Sequence, residues 1–261
     1  MLKFALLGRK GSGRAYFQKL LEKEGLAVAK SYTTREQKGE NDNMHHFVES
    51  VDDVNSCCDR VLETEHDGHK YFYSRAELEK ANVIPIDPQN LEALCDMFPD
   101  TAFRFIEIMA SNENRLTHAV VNADDKLTAE ADFVAACEEE NEAFVKFEDT
   151  AAQRKINITN LSHGALVNND FTDKSDMCRW VNNVKNQLLQ FTRMMTICKE
   201  LQEAGIIDMD KSGKYIVGSR NNEEPYVMAP ALLVDDILLD KDNLYLTVTT
   251  WLQLENNSFK D

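Results

Sequence analysis

The first 25 residues, MLKFALLGRKGSGRAYFQKLLEKEG, constrain the fold of this chain more than any other stretch. Residues 3–7 predict a short buried strand, residues 8–13 form a glycine-rich loop, and the apolar spacing of residues 15–24 predicts a helix that ends at Gly25. A strand, a glycine loop and a helix in this order are typical of a phosphate-binding loop, where backbone N–H groups and the helix N-terminus surround an anion. The same glycines also fit a tight strand-to-helix turn without a ligand.

The loop departs from the phosphate-loop pattern G-x-x-x-x-G-K-[ST] at two positions. Four residues fit a phosphate loop: Gly8, Gly11, Ser12 and Gly13. Arg14 stands where the pattern has the lysine that reaches the phosphates, and Ala15 stands where it has the hydroxyl that ligates Mg²⁺. Arginine keeps the charge but not the geometry of an ammonium group, and alanine ligates nothing. Arg14 is therefore the candidate catalytic cation, and Lys10 is a second candidate if it bends inward.

Apolar segments alternate with helical patterns over the first four fifths of the chain. Strands are predicted at residues 26–29, 60–65, 82–86, 102–109 and 165–167, and helices at residues 51–58, 74–81, 91–97, 113–122, 128–148 and 174–204. Residues 30–47 are polar and rich in turn formers. This alternation predicts an α/β fold with a largely parallel sheet flanked by helices. After residue 205 a predicted hairpin (residues 206–217) and a strand (residues 244–254) indicate a small α+β appendage.

Several further segments share a family pattern in their order and approximate spacing. They are SYTTR at residues 31–35, KGE at 38–40, HHFV at 45–48, VIPIDPQ at 83–89, NRL at 114–116 and LVNND at 166–170. From residue 3 to about residue 192 they resemble the guanylate kinase family, which reads S-x-T-T-R, R-x-G-E, Y-x-F, D-I-D and V-V-N-D-D. On this resemblance the chain is identified as a divergent member of that family, with a degenerate phosphate loop.

The resemblance implies a division of the chain. Residues 1–204 would form a domain with the P-loop kinase fold. Within it, residues 31–80 would be an inserted monophosphate-binding subdomain and residues 115–160 a lid. Residues 205–261 would form the α+β appendage.

The resemblance also assigns side chains to a nucleoside monophosphate. They are Ser31, Arg35, Lys38, His45, Glu63, Glu65, Tyr71, Ser74 and Asp87. Ser31, Arg35 and Tyr71, with Lys38, would contact the phosphate, and His45 stands where a tyrosine is usual. A carboxylate at Glu63 or Glu65, with Ser74 or Asp87, would read the guanine edge. Arg35 and Lys38 also fit solvated surface charges, and Tyr71 fits an ordinary strand residue.

Several of the groups that phosphoryl transfer requires are replaced in this sequence. Transfer depends on a loop lysine, Mg²⁺ and lid arginines that neutralise charge. Arg115 remains at the start of the predicted lid, but the lid helix carries the run ADFVAACEEE at residues 131–140. Pro85 also replaces the first aspartate of the D-I-D strand.

Three alternative functions are compatible with these features of the sequence. The leading one is a guanylate-kinase-like protein that binds a nucleotide, a phosphorylated group or a protein partner with little phosphotransfer. The others are an active, divergent (deoxy)nucleoside monophosphate kinase acting on GMP or dGMP, and an interaction protein with an empty pocket. Mg²⁺ and ATP are expected only if the chain is active, so enzyme activity stays open.

The net charge limits the classes of partner, and the cysteines indicate the cellular compartment. The net charge of −16 is spread along the chain, which argues against nucleic acid and anionic membranes as partners. Six cysteines without C-x-x-C spacing, and a start too short for a signal peptide, predict a reduced, cytoplasmic protein. The turn HDGH at residues 66–69 lacks a third ligand nearby, so no metal site is predicted.

Overall fold

The computed structural model describes residues 2–37, 42–54, 59–121, 126–154, 156, 158–162, 166–167, 170–171, 174–203, 208–209, 215–218 and 226–230. These residues divide into two compact units. The described residues of 3–98 and of 103–181 form the first unit. Residues 2 and 99–102, with the described residues from 182 onwards, form the second.

The elements of the first unit follow in chain order. They are β1 (Leu2–Gly8), α1 (Arg14–Lys23), β2 (Ser31–Thr33), β3 (His45–Phe47), β4 (Arg60–His66), β5 (His69–Ser74), α2 (Arg75–Lys80), β6 (Val83–Pro85), α3 (Leu91–Met97), β7 (Ala102–Met109), α4 (Asn112–Val121), α5 (Lys126–Gln153), β8 (Ile158–Ser162), β9 (Leu166–Val167) and β10 (Asp170–Phe171). Short 3-10 helices lie at Val51–Asp53 and Pro88–Asn90. Helix α6 (Lys174–Glu203) crosses the boundary between the units.

The main sheet has the strand order β6-β1-β7-β8. Strand β1 pairs with β6 in parallel, with Ala5 opposite Ile84, and β7 pairs with β8 in parallel. Strand β1 is buried along six consecutive residues, as expected for a parallel strand covered on both faces. The predicted mixed α/β architecture with a parallel sheet is therefore confirmed. Strand β8 had no counterpart in the sequence prediction.

A second sheet of four strands, in the order β3-β2-β5-β4, lies within residues 31–74. Strand β2 runs parallel to β3 and antiparallel to β5, and β4 is antiparallel to β5. No strand was predicted within residues 30–47, because two three-residue strands are too short to produce a periodic pattern. The strand predicted at residues 26–29 was wrong, since only Val28 forms a bridge, to Val83.

Helix α2 is capped at both ends. The Ser74 hydroxyl accepts the Glu77 backbone N–H at 3.2 Å and caps the N-terminus of the helix. At the other end the buried Lys3 ammonium donates to the carbonyls of Leu78, Glu79 and Ala81 at 2.8, 2.9 and 2.5 Å. Burial lowers the pKa of Lys3. This lysine ties β1 to the end of α2.

Helix α4 lies within one residue of the predicted bounds, whereas α5 is longer than predicted at both ends. Helix α5 packs against α3 and α4. The C-terminal half of α5 belongs to the hydrophobic core, where Phe144, Phe147 and Ala151 are at most 2% exposed. Of the short helix predicted at residues 51–58, the structure has one 3-10 turn, and residues 55–58 lie outside the described part.

The second unit contains an antiparallel sheet of β11 (Asp208–Met209), β12 (Tyr215–Gly218) and β13 (Tyr226–Pro230). The predicted pairing across the hairpin is confirmed, with Met209 opposite Ile216. The turn at residues 210–214 and the strand predicted at residues 244–254 lie outside the described residues. None of the described helices is long and apolar enough to cross a membrane.

Candidate functional site

The glycine loop joins β1 to α1 through a left-handed turn. Gly11 and Gly13 have φ values of +80° and +92°, a region that residues with a Cβ rarely adopt, and Gly13 is the N-cap of α1. Gly8 meets a different constraint, since a Cβ there would lie 2.5 Å from the Ser12 hydroxyl. The Ser12 N–H donates to the Arg9 carbonyl at 2.9 Å. One loop amide is thus used inside the loop itself.

Arg14 turns toward the carboxyl end of β6. Its Nη1 donates to the Ile86 carbonyl at 3.1 Å, and its positive charge acts on Asp87 and His45. The next residue, Ala15, is exposed in the first turn of α1. The guanidinium is therefore engaged within the chain, at a position where a phosphate-loop lysine would extend toward a ligand.

Asp87 is in contact with two polar neighbours, Thr64 and His66. The Thr64 hydroxyl donates to Asp87 Oδ2 at 3.0 Å, and His66 Nε2 lies 3.3 Å from the same oxygen. Burial alone raises the pKa of Asp87, but the hydrogen bond from His66, the Arg14 charge and the Thr64 hydroxyl outweigh it and lower the pKa. Asp87 is therefore an ionised carboxylate fixed beside a cation.

Three predicted phosphate ligands share one face of the second sheet. Ser31 lies opposite His45 in the β2–β3 pair, and Tyr71 lies opposite Thr33 in the β2–β5 pair. Because side chains alternate along strands, Ser31, His45 and Tyr71 all project to the same side. Ser31 Oγ lies 2.8 Å from His45 Nδ1, and the rings of His45 and Tyr71 are in edge contact at 5.6 Å.

Burial, followed by the charge of Arg35, lowers the pKa of His45 to about 4, against the opposing charge of Asp42. The imidazole is therefore neutral at pH 7. A neutral imidazole presents one N–H donor without adding charge to the face.

Arg35 follows β2 and lies at the edge of this face. It forms an ion pair with Asp42 at 2.9 Å, and its guanidinium lies 5.3 Å from the Phe47 ring centre. The Arg35 side chain is 15% exposed, so it is ordered by its neighbours. Beside it is an open cavity of about 440 Å³. The lining residues are Thr34, Arg35, Glu36, Gln37 and His69.

The other predicted ligands do not join this group. Glu65 pairs with Lys70 on the opposite face of the sheet, and the exposed Glu63 lies 3.9 Å from Arg60. Thr64, between the two glutamates, is the residue that points inward. Ser74 serves as the cap of α2. Lys38 lies outside the described residues.

Helix α5 contacts the glycine loop. Glu140 Oε1 accepts the backbone N–H of Lys10 at 2.5 Å, and Glu140 Oε2 accepts a bond from Arg115 Nη2. Arg115 Nε donates to the Lys10 carbonyl at 2.7 Å, and Arg115 is 2% exposed. The Lys10 ammonium itself lies 3.7 Å from Asp67 in an exposed pair.

A second contact between α5 and the glycine loop involves Asn141, the residue after Glu140. Arg9 Nη1 donates to Asn141 Oδ1, and its guanidinium lies 4.3 Å from the Phe144 ring centre. From the sequence, neither Glu140 nor Asn141 is predicted as a loop contact, and Thr64 is not predicted as a partner of Asp87. The acidic run at residues 138–140 was the signal available for Glu140, since a carboxylate suits a positive helix N-terminus.

Comparisons with known proteins add little to this geometry. No protein-family model matches the chain, and no curated protein matches its sequence. Among solved structures, the chain is similar to the crystal structure of guanylate kinase from Anaplasma phagocytophilum. The TM-score is 0.42 and the sequence identity is 18%, and the match covers 70% of this chain and 84% of that one.

Proposed function

We propose that this chain is a guanylate-kinase-like protein that binds a phosphate monoester, such as a nucleoside monophosphate, and transfers phosphate from ATP weakly or not at all. The observation that carries this proposal is the convergence of Ser31, His45 and Tyr71 on one sheet face with Arg35 at its edge. A cation, hydroxyls and a neutral imidazole together supply the charge and donors that a monoester dianion requires.

The residues of the glycine loop do not fit Mg²⁺ and ATP. Ala15 has no ligand atom, Arg14 donates to Ile86, and the Lys10 amide donates to Glu140. Among the described residues of the glycine loop, the groups that phosphoryl transfer would place on the phosphates are therefore missing or engaged within the chain. Removal of one such group typically lowers kcat about 10²- to 10³-fold.

The base of the ligand is the less constrained part of the proposal. Glu63 and Glu65 are both exposed, and Glu65 lies on the face opposite Ser31. We therefore propose that the phosphate contributes most of the recognition and that guanine is weakly distinguished from other bases.

A thermal-shift panel tests the function. The ligands are GMP, dGMP, AMP, the nucleoside guanosine, and ATP with Mg²⁺, and ADP formation is measured alongside. The proposal expects stabilisation by the monophosphates but not by guanosine, at about 2.7 kcal/mol for a ligand at 100 times its Kd. Stabilisation by ATP with GMP-dependent ADP formation would instead identify an active kinase. No shift with any ligand would identify an interaction protein.

A further inference from the structure

Glu140 and Arg115 bind the backbone of Lys10, one at its N–H and the other at its carbonyl. The carboxylate accepts the Lys10 N–H at 2.5 Å, and the guanidinium donates to the Lys10 carbonyl at 2.7 Å. The carboxylate and the guanidinium also bind each other. Because Arg115 is 2% exposed, its charge needs a nearby anion, and Glu140 provides it.

Glu140 contacts the loop in the way that a bound phosphate contacts an anion-binding loop. A phosphate oxygen on such a loop accepts a backbone N–H and pairs with a nearby arginine. Glu140 makes both contacts from within the chain. The Lys10 N–H has a single hydrogen, so an external anion reaches it only when Glu140 leaves.

Helix α5 is anchored where it makes these contacts. Phe144, one turn after Glu140, is 2% exposed in the hydrophobic core, and its ring also lies under Arg9. Asn141 accepts a hydrogen bond from Arg9. The carboxylate is therefore positioned by a rigid part of α5.

We propose that Glu140 is an internal ligand of the glycine loop and competes there with external polyphosphate groups. The loop is then self-occupied, and neutralising Glu140 converts it into a site for inorganic tripolyphosphate. This inference goes beyond the proposed function, because it concerns the loop and not the face that carries Ser31 and His45.

The test is calorimetric titration of inorganic tripolyphosphate into the full chain, its Glu140→Gln variant and its Glu138→Gln variant. Glu138 is exposed on the same helix, so its change removes the same charge away from the loop. We expect Glu140→Gln to bind at least ten times more tightly than the wild type, and Glu138→Gln to match the wild type. Equal affinities for all three proteins, or equal gains in both variants, would overturn the proposal.

A second measurement uses the unmodified chain and so does not depend on the stability of a variant. Amide hydrogen exchange of Lys10 is followed by NMR without any added ligand. The proposal expects exchange at least tenfold slower than in an unstructured peptide, because Glu140 holds that hydrogen. Exchange at the unstructured rate would overturn it. GMP binding tests the proposed function separately, since neither outcome here involves the residues of the monophosphate face.

Discussion

Arg14 Nη1 donates a hydrogen bond to the Ile86 carbonyl at 3.1 Å, and the charge of this guanidinium helps to lower the pKa of the next residue, Asp87. A residue at the ligand-binding position of a phosphate loop thus serves the internal structure of the protein. Replacing Arg14 with alanine removes the hydrogen bond and a positive charge that acts on the partly buried Asp87 carboxylate. We expect a loss of about 1–3 kcal/mol in the free energy of unfolding, measured with urea.

The matched control is Arg75→Ala, which removes an exposed arginine paired with Asp59. Exposed ion pairs contribute about 0–1 kcal/mol, so this variant should remain close to the wild type. Equal losses in the two variants would contradict a structural role for Arg14.

Lys3 is expected to matter for stability despite being a charged residue in a strand. Its ammonium satisfies three carbonyls at the end of α2, and Lys3→Met leaves them without that donor. We expect a loss of about 1–3 kcal/mol, measured by urea unfolding. Lys80→Met, at an exposed position on α2, should change stability by less than about 0.5 kcal/mol. A Lys3→Met protein as stable as the wild type would show that the cap is dispensable.

The lowered pKa of His45 predicts an acid-sensitive fold. The imidazole has a pKa of about 4 in the folded state and an ordinary pKa of 6.5 in the unfolded chain, so the unfolded chain binds more protons between these values. The His45 contribution to stability is therefore complete above pH 6.5 and is lost as the pH falls toward 4. We expect the decrease in Tm between pH 7 and pH 5 to become smaller in His45→Gln.

His46→Gln is the control for this prediction, because His46 is the exposed neighbour on β3. Its decrease in Tm over the same pH interval should equal that of the wild type. If His45→Gln and the wild type lose the same Tm, the imidazole is not the acid-sensitive group.

We expect the packing of α5 in the core to contribute strongly to the free energy of unfolding. Phe147→Ala removes a ring that is 1% exposed and should destabilise the chain by about 3–5 kcal/mol. Val145→Ala, at a position that is 56% exposed, should cost less than about 0.5 kcal/mol. Urea unfolding of both variants checks this, and a small effect of Phe147→Ala would indicate that the C-terminal half of α5 contributes little to the core.

The sequence prediction was most accurate for apolar segments with clear ends. The bounds of α3 and β7 match the prediction, because apolar spacing and flanking turns are both present there. The strands β2 and β3 were missed, since three residues show no period and their pairing partners are distant in sequence.

Some residues of the candidate site were predicted from the sequence and others were missed, for a related reason. A motif names residue types, but it does not reveal which face of a strand a residue occupies. The irregularity between Val61 and Thr64 in β4 sets that face, and it turns Thr64 inward while Glu63 and Glu65 are exposed. The contact of Glu140 with Lys10 spans 130 residues and follows from packing of α5, which local patterns do not encode.

The central claim is that a phosphate monoester binds at the face formed by β2, β3 and β5. The most direct measurement is calorimetric titration of GMP, with guanosine in parallel, into the wild type, Arg35→Ala and Arg60→Ala. Arg60 is a partly exposed arginine of the same subdomain whose pairs, Asp52 and Glu63, are outside the face. The account predicts GMP binding without guanosine binding, at least tenfold weaker in Arg35→Ala and unchanged in Arg60→Ala. Equal GMP affinity in all three proteins, or no GMP binding to the wild type, would contradict it.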